Sequence, residues 1–113
     1  MKYRTTPDLV DKQKEFWNED FHSEGDHFSE TEEVDITTLI LNDDIIKSYR
    51  EDDNDHKIVE ELKNILIKGE PLPPILIDRR KDLMDGYHRI LACQELGITI
   101  VPCLTIFSKF EKP

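Results

Sequence analysis

Apolar residues between positions 58 and 97 repeat with helical spacing in two places. The first repeat predicts an amphipathic helix, because its members fall at positions i, i+1, i+4, i+7 and i+8: Ile58, Val59, Leu62, Ile65 and Leu66. Gly69 ends this helix in the position that glycine usually takes after a helix. The second repeat predicts a helix from Gly86 to Leu96 that stops at Gly97.

Shorter apolar runs on either side of these helices predict strands. Prolines at positions 71, 73 and 74 enforce an extended chain, and the run 75–77 after them fits a short buried strand. Residues 83–84 predict a second short strand, and the β-branched segment 99–107 predicts a last one. Residues 34–41 fit a short strand and a turn. The predicted fold class is therefore α/β, a short mixed sheet with helices packed on it.

These elements place a compact domain over residues 34–107, which leaves an N-terminal arm of residues 1–33 and a tail of residues 108–113 that we expect to fray. In the domain, Asn42 and the two aspartates after it cap a short helix that runs to about Arg50.

The arm is predicted to be partly helical. Thr6 caps a helix with Pro7 at its first position, and one face of that helix carries Leu9, Val10, Gln13, Phe16 and Trp17. Residues 20–33 are acidic and lack periodicity, which is typical of a loop or linker.

The charge is strongly negative. Lys and Arg number 15 and Asp and Glu number 25, a formal net charge of −10 at pH 7. Residues 1–33 hold ten acidic and four basic side chains, a net charge of −6. No basic face is large enough to neutralise many phosphates, so duplex DNA is not an expected partner. A single nucleotide in a local pocket remains compatible with this charge.

Four aromatic residues stand out in the acidic arm: Phe16, Trp17, Phe21 and Phe28. Two interpretations are open. They pack the arm back onto the domain, or they contact a protein partner.

Several features favour a cytoplasmic protein. Cys93 and Cys103 lie in apolar contexts, as buried thiols do in a reducing compartment. The charged N-terminus is not followed by the apolar run of a signal peptide. No apolar segment approaches the length that crosses a bilayer.

The candidate chemistry lies in the strand–turn–helix of residues 82–97. Gly86 has no Cβ and lets the backbone approach a ligand closely. The first amides of the helix, near Tyr87, His88 and Arg89, have no partner within the helix and lie at the positive end of its dipole. Such a helix start binds anions, and the Arg89 guanidinium adds a planar fork suited to phosphate or carboxylate. The alternative is an ordinary connection with Asp85 as N-cap.

Neighbouring residues have two possible roles each. His88 contacts phosphate or shuttles a proton, or it is a structural histidine. Asp85 holds Mg²⁺ beside the phosphates, or it caps the helix. Asp43 and Asp44 supply a base for an attacking hydroxyl, or they cap their own helix. Tyr87 stacks on a base, or it covers the turn.

The order of motifs resembles the ParB/sulfiredoxin superfamily, whose hallmark is a Gly-x-x-Arg-x-x-Ala turn after a strand. The match runs over roughly residues 34–107, leaves the arm unmatched, and includes a first box at residues 41–50. The segments that carry it are 69–75, 85–92, 96–97 and 101–102. The resemblance is far more specific for fold than for activity, because one fold carries many functions.

The resemblance implies a nucleoside triphosphate, ATP or CTP, with its phosphates on the Gly86–Arg89 turn, Arg50 as a second cation and Mg²⁺ as cofactor. The superfamily includes ATP-dependent sulfiredoxins, CTP-hydrolysing partition proteins, free-serine kinases and ParB-like nucleases. Tyr87 stands where sulfiredoxins carry their reactive cysteine, so that chemistry is not expected. The form Asp-Gly-Tyr-His-Arg is most similar to the serine-kinase-like turn, although aspartate at positions 43 and 44 replaces the expected glutamate.

Three functional hypotheses follow. The first is nucleotide binding at the turn, with Mg²⁺-assisted phosphoryl transfer or nucleotide hydrolysis as the accompanying reaction. The second is a non-catalytic module whose acidic, aromatic arm binds a protein. The third is a ParB-like nuclease, which rests on the family label alone and which the acidic composition disfavours.

Overall fold

A computed structural model of the protein describes residues 1–20 and 26–107. Its helices and strands follow one another along the chain in this order: α1 (Pro7–Asp20), β1 (His27–Phe28), β2 (Glu32–Asp35), a 3₁₀ turn (Ile36–Thr38), α2 (Asp43–Glu51), α3 (Asp53–Ile67), β3 (Ile75–Ile77), β4 (Leu83–Asp85), α4 (Tyr87–Leu96) and β5 (Ile100–Phe107). No described helix is both long and apolar enough to cross a membrane.

The strands form one mixed sheet in which β5 pairs with β1, β2 and β3. β3 lies parallel to β5, with Leu76 opposite Leu104, and β4 pairs antiparallel with β3. β1 pairs antiparallel with the end of β5, and β2 pairs antiparallel with its beginning, so the two short strands divide β5 between them. The predicted α/β fold class is confirmed.

The two faces of the sheet have different covers because side chains alternate along each strand. Helices α3 and α4 cover one face, and the core there is built on five strand residues: Ile75, Ile77, Leu83, Val101 and Cys103. Three residues of the alternate positions, Leu76, Leu104 and Ile106, face the other way and pack against Trp17 of α1. We call these two sides the α3/α4 face and the α1 face.

The segment before α1 is fixed to the domain by backbone contacts. The Tyr3 hydroxyl donates to the carbonyl of Pro73, and the side chain of Tyr3 is buried. The Arg4 carbonyl accepts from the Leu72 amide at 2.8 Å. Burial raises the pKa of the Tyr3 hydroxyl well above its ordinary value.

Two predictions for the start of the chain need correction. The stretch 20–33 was expected to be a loop or linker, but strands β1 and β2 occupy parts of it, because β5 offers them backbone partners that the local sequence does not reveal. The strand expected at 34–41 begins and ends earlier, at Glu32 and Asp35, and the 3₁₀ turn follows it.

Other expectations are confirmed. Asn42 caps α2 by accepting from the amides of Asp44 and Ile45, at 3.0 and 3.3 Å. Trp17 and Phe28 pack against the α1 face, as the packing interpretation of the arm requires. Phe21 and the tail 108–113 lie outside the described residues.

Candidate functional site

Gly86 joins β4 to α4 in a conformation that other residues rarely adopt. Its φ of 116° is in the left-handed region, and a Cβ at this position would lie 2.6 Å from Cδ1 of Ile75. Gly86 is the N-cap of α4, and no side chain caps the helix. The first amides of α4, from Tyr87 to Arg89, therefore lack helical partners and lie at the positive end of the dipole.

The interpretation of Asp85 as N-cap is thus wrong, because the cap position belongs to Gly86. Asp85 instead accepts a hydrogen bond at Oδ2 from Nε2 of Gln13, at 2.7 Å. Gln13 is a buried polar residue of α1. Helix α1 of the arm therefore reaches the turn before α4 and holds the Asp85 carboxylate there.

A cavity of about 470 Å³ opens beside the start of α4. Its polar lining includes Asp85, Tyr87, His88 and Arg89, and its apolar lining comes from α2, α3 and the segments before the turn: Ile45, Tyr49, Ile58, Leu62, Leu72, Pro73 and Met84. This combination of apolar walls and a few convergent polar groups is typical of a small-molecule site.

Arg89 is turned inward. Its Nη1 donates to the carbonyls of Pro73 and Pro74, at 2.7 and 2.9 Å, and its Nη2 lies 3.5 Å from Oδ2 of Asp85. Its side chain is 11% exposed. The guanidinium therefore connects the proline segment to α4, and the Asp85 carboxylate offsets its charge.

His88 is held on two sides. Its Nε2 lies 2.7 Å from Oδ1 of Asp55, in the first turn of α3. Its ring stacks on Tyr49, with the ring centroids 4.3 Å apart and the planes 16° from parallel. Burial is the largest cause that raises the pKa of the Tyr49 hydroxyl above its ordinary value. The negative charges of Asp55 and Asp85 raise this pKa further.

Tyr87 extends this aromatic group and connects it to α2. Its ring meets Tyr49 edge-on at 6.1 Å. Its hydroxyl accepts a hydrogen bond of 2.9 Å from the backbone amide of Asn42. The N-termini of α2 and α4 are therefore joined at one side of the cavity.

The other predicted site residues lie elsewhere. Asp43 and Asp44 are exposed in the first turn of α2, outside the lining of the cavity. Arg50 lines a different cavity of about 420 Å³, between α2, α3 and α4. Tyr49 lines both cavities. The structure thus brings together Asp85 to Arg89 but not Arg50 or the two aspartates.

Sequence reasoning missed Asp55, Tyr49 and Gln13 as members of the site. Asp55 belongs to a run of acidic residues in which no position stands out, and Tyr49 and Gln13 lie in helices remote from the turn along the chain. Helical spacing shows which face a residue occupies but not which distant segment meets that face.

A cation beside Asp85 is compatible with its bonding. Both of its contacts, to Gln13 and to Arg89, use Oδ2. Within residues 1–20 and 26–107, Oδ1 therefore has no protein donor. No three carboxylate, imidazole or thiol groups of the described residues come together as a metal-ligand set. Such a cation would take its remaining ligands from water and phosphate, as Mg²⁺ commonly does.

Comparisons with known proteins agree with this geometry at the level of the fold. No protein-family model matches the sequence, and no curated protein matches it. Solved structures that are similar to it include one crystal form of the Pnob8-like ParB-N domain and the pNOB8-like ParB N-domain. Their identities with this chain are 25% and 27%, and their TM-scores are 0.56 and 0.54.

Each match covers 72% of this chain, and 30% and 28% of the two ParB chains. The chain thus spans less than a third of the length of the solved chains that it matches. The protein has a ParB-like fold. The recognition made from the Gly-x-x-Arg-x-x-Ala turn is confirmed at this level.

Proposed function

We propose that this protein binds a nucleoside triphosphate, as its Mg²⁺ complex, in the cavity beside Gly86. The observation that carries the proposal is the start of α4, which has no capping side chain and adjoins a cavity lined by aromatic and aliphatic residues. Free amides at the positive end of a helix suit phosphate oxygens. The ParB-like fold supports the same location through the family resemblance.

Charge favours the metal complex over the bare nucleotide. The Arg89 guanidinium is offset by Asp85, and Asp55 adds a second carboxylate next to His88. A free triphosphate would therefore meet little net positive charge from the side chains. Mg²⁺ would neutralise the phosphates and be held by Oδ1 of Asp85.

The apolar walls suit a nucleobase. Ile58 and Met84 are exposed large apolar side chains that line the cavity, and Tyr49 and Tyr87 offer aromatic rings. These groups stack on a base without reading its edge, so ATP and CTP both remain candidates.

Phosphoryl transfer or nucleotide hydrolysis is the reaction that this site would support. His88 lines the cavity, and in this proposal its imidazole would act as the acid or base. Asp43 and Asp44, which the sequence also suggested, lie outside the cavity lining. Release of inorganic phosphate from ATP, CTP and GTP with Mg²⁺ measures hydrolysis, and release of the nucleoside diphosphate measures hydrolysis and transfer together.

Isothermal titration of the full chain with ATP, CTP and GTP, each with and without Mg²⁺, tests binding. Met84→Glu places a carboxylate at the cavity, and we expect it to weaken binding of the Mg²⁺ nucleotide at least tenfold by repelling the phosphates. Met84→Gln has the same shape without the charge and should bind nearly as wild type does. Arg50 lines the other cavity, so Arg50→Ala should leave nucleotide binding unchanged.

Absence of binding by the wild-type protein would overturn the proposal, and so would equal binding by Met84→Glu and Met84→Gln. Arg89→Ala is a poor probe by itself, because it also frees the carbonyls of Pro73 and Pro74. Nucleotide binding by Arg89→Ala should be interpreted together with the free energy of unfolding of that variant.

A second candidate function, binding of a protein through the arm, has one supporting observation. Phe16 is 46% exposed on α1, although Trp17 beside it is buried. Phe16→Ser should abolish pull-down of a partner while leaving the fold intact, whereas a lysine on the same helix, Lys12→Ser, serves as the control. Equal retention by the two variants would contradict this role.

A further inference from the structure

We infer that Asp55 is a positioning residue for His88, which it fixes so that Nδ1 is the ring nitrogen available to a ligand beside the phosphates. The inference rests on the proposed nucleotide site and adds to it a residue on a different helix. Asp55 lies in the first turn of α3, and His88 lies in the first turn of α4.

The contact between the two side chains fixes the edge of the ring. Oδ1 of Asp55 is 2.7 Å from Nε2 of His88, and the side chains are 21% and 26% exposed. An ionised carboxylate only accepts hydrogen bonds, so Nε2 carries the proton in this contact. Nδ1 has no hydrogen-bond partner among the described residues. It is therefore the nitrogen that remains for a ligand.

The stack on Tyr49 fixes the plane of the same ring. With the centroids 4.3 Å apart and an interplanar angle of 16°, the His88 ring has one face against Tyr49. Rotating the ring by half a turn would preserve the stack but lose the bond to Asp55. Stack and hydrogen bond together therefore leave a single orientation.

This orientation has a chemical consequence at the cavity. A neutral ring with its proton on Nε2 presents Nδ1 as an acceptor. It accepts a hydrogen bond from a water molecule or a hydroxyl group beside the phosphates. At metal sites, carboxylates that accept from the far ring nitrogen of a histidine ligand set its tautomer in the same way. Without Asp55 the ring is free to turn, and this acceptor is lost for part of the time.

The test uses five variants of the full chain. Asp55→Ala removes the acceptor. Asp55→Asn keeps a side-chain oxygen that accepts from Nε2. Asp53→Ala is the matched control, because it removes a carboxylate from the same turn of α3 without a ring partner. The double variant Asp55→Ala/His88→Ala is compared with His88→Ala alone.

NMR signals of the His88 ring protons report its orientation through the ring current of Tyr49. We expect the wild-type shifts in Asp53→Ala and Asp55→Asn, and displaced signals in Asp55→Ala. Titration should show that the Mg²⁺ nucleotide binds Asp55→Ala about three- to tenfold more weakly than wild type. This loss of affinity corresponds to the loss of one hydrogen bond. Once His88 is alanine, the change at position 55 should have no further effect.

Two results would overturn the inference. One is an unchanged set of His88 signals in Asp55→Ala, which would show that the carboxylate does not position the ring. The other is a loss of affinity that persists when His88 is already alanine, which would place the effect of Asp55 elsewhere. If the wild-type protein binds no nucleotide, the proposed function and the ligand part of the inference both fall, and the NMR signals alone decide whether Asp55 orients the ring.

Discussion

The α3/α4 face and the α1 face of the sheet are built from the same strands but are covered in different ways. Two helices with broad apolar stripes close the first face over a large buried cluster. A single acidic helix closes the second, and its main contribution is the indole of Trp17. Burial of one large aromatic ring thus does most of the covering on the α1 face.

The difference also shows how the arm reaches the candidate site. Gln13 lies on α1, four residues before Trp17, and therefore on the same side of the helix. Trp17 fixes α1 on the sheet, and this places the Gln13 amide against Asp85. The helix that covers the α1 face thereby also holds the Asp85 carboxylate.

Trp17→Ala should be the most destabilising single change on the α1 face. It removes the indole that covers Leu76, Leu104 and Ile106, and we expect the free energy of unfolding to fall by about 3–5 kcal/mol. Chemical denaturation followed by circular dichroism measures it. Phe16→Ala changes the neighbouring, half-exposed ring and should cost well under half as much. Equal losses in the two variants would show that α1 is not seated as described.

Leu66→Ala makes the corresponding test of the α3/α4 face. Leu66 is 1% exposed, and we expect a loss of about 2–5 kcal/mol from the cavity that alanine leaves. Ile67→Ala, one position further along α3, is the control, because that side chain is 57% exposed. Similar unfolding midpoints for both variants would contradict the assignment of the helix faces.

Alkaline pH should lower the free energy of unfolding because two thiols are buried at the α3/α4 face. Burial raises the pKa of Cys93 and Cys103 from 9.0 to about 12. The unfolded chain then loses these protons first, so the free energy of unfolding falls as pH rises from about 9 towards 12. At pH 10 we expect a loss of roughly 1.4 kcal/mol for each thiol.

Denaturation curves at pH 7, 9 and 10 measure this slope. Cys93→Ala/Cys103→Ala provides the control, since it removes both thiols and should flatten the dependence while leaving the part due to Tyr3. A slope that is as steep in the double variant as in wild type would exclude the thiols as its source.

Gln13→Ala should have the smallest effect. It removes the donor to Asp85 at the edge of the α1 face, and we expect a cost of about 1 kcal/mol because Asp85 remains partly accessible to water. Gln13→Glu sets a second carboxylate against the first and should cost more. Thermal unfolding of both variants measures the difference, and greater stability of the glutamate variant would refute the contact.

The parts of the fold that follow from local sequence could be predicted. The α3 stripe, the Asn42 cap and the turn at Gly86 depend on residues within a few positions of one another. Strand β1 and the true bounds of β2 could not be foreseen, because their backbone groups pair with β5, more than sixty residues away along the chain. No local pattern in residues 26–35 reveals that partner.

The candidate site divides in the same way. The free amides after Gly86 follow from the glycine and the helix that it starts. The inward turn of Arg89 depends on two proline carbonyls that the bend before β3 presents to it. The Asp55–His88 contact depends on how α3 packs on α4. Both contacts are products of tertiary packing, which periodicity does not encode.

The central position of β5 has a consequence for how the chain acquires its structure. Since β1, β2 and β3 all pair with residues 100–107, only the pairing of β3 with β4 is possible before that strand has been synthesised. A nascent chain on the ribosome would hold its helices as loosely formed pieces and complete the sheet late. Such dependence on distant partners slows folding, and it makes the pairing of β5 the step at which the sheet is completed.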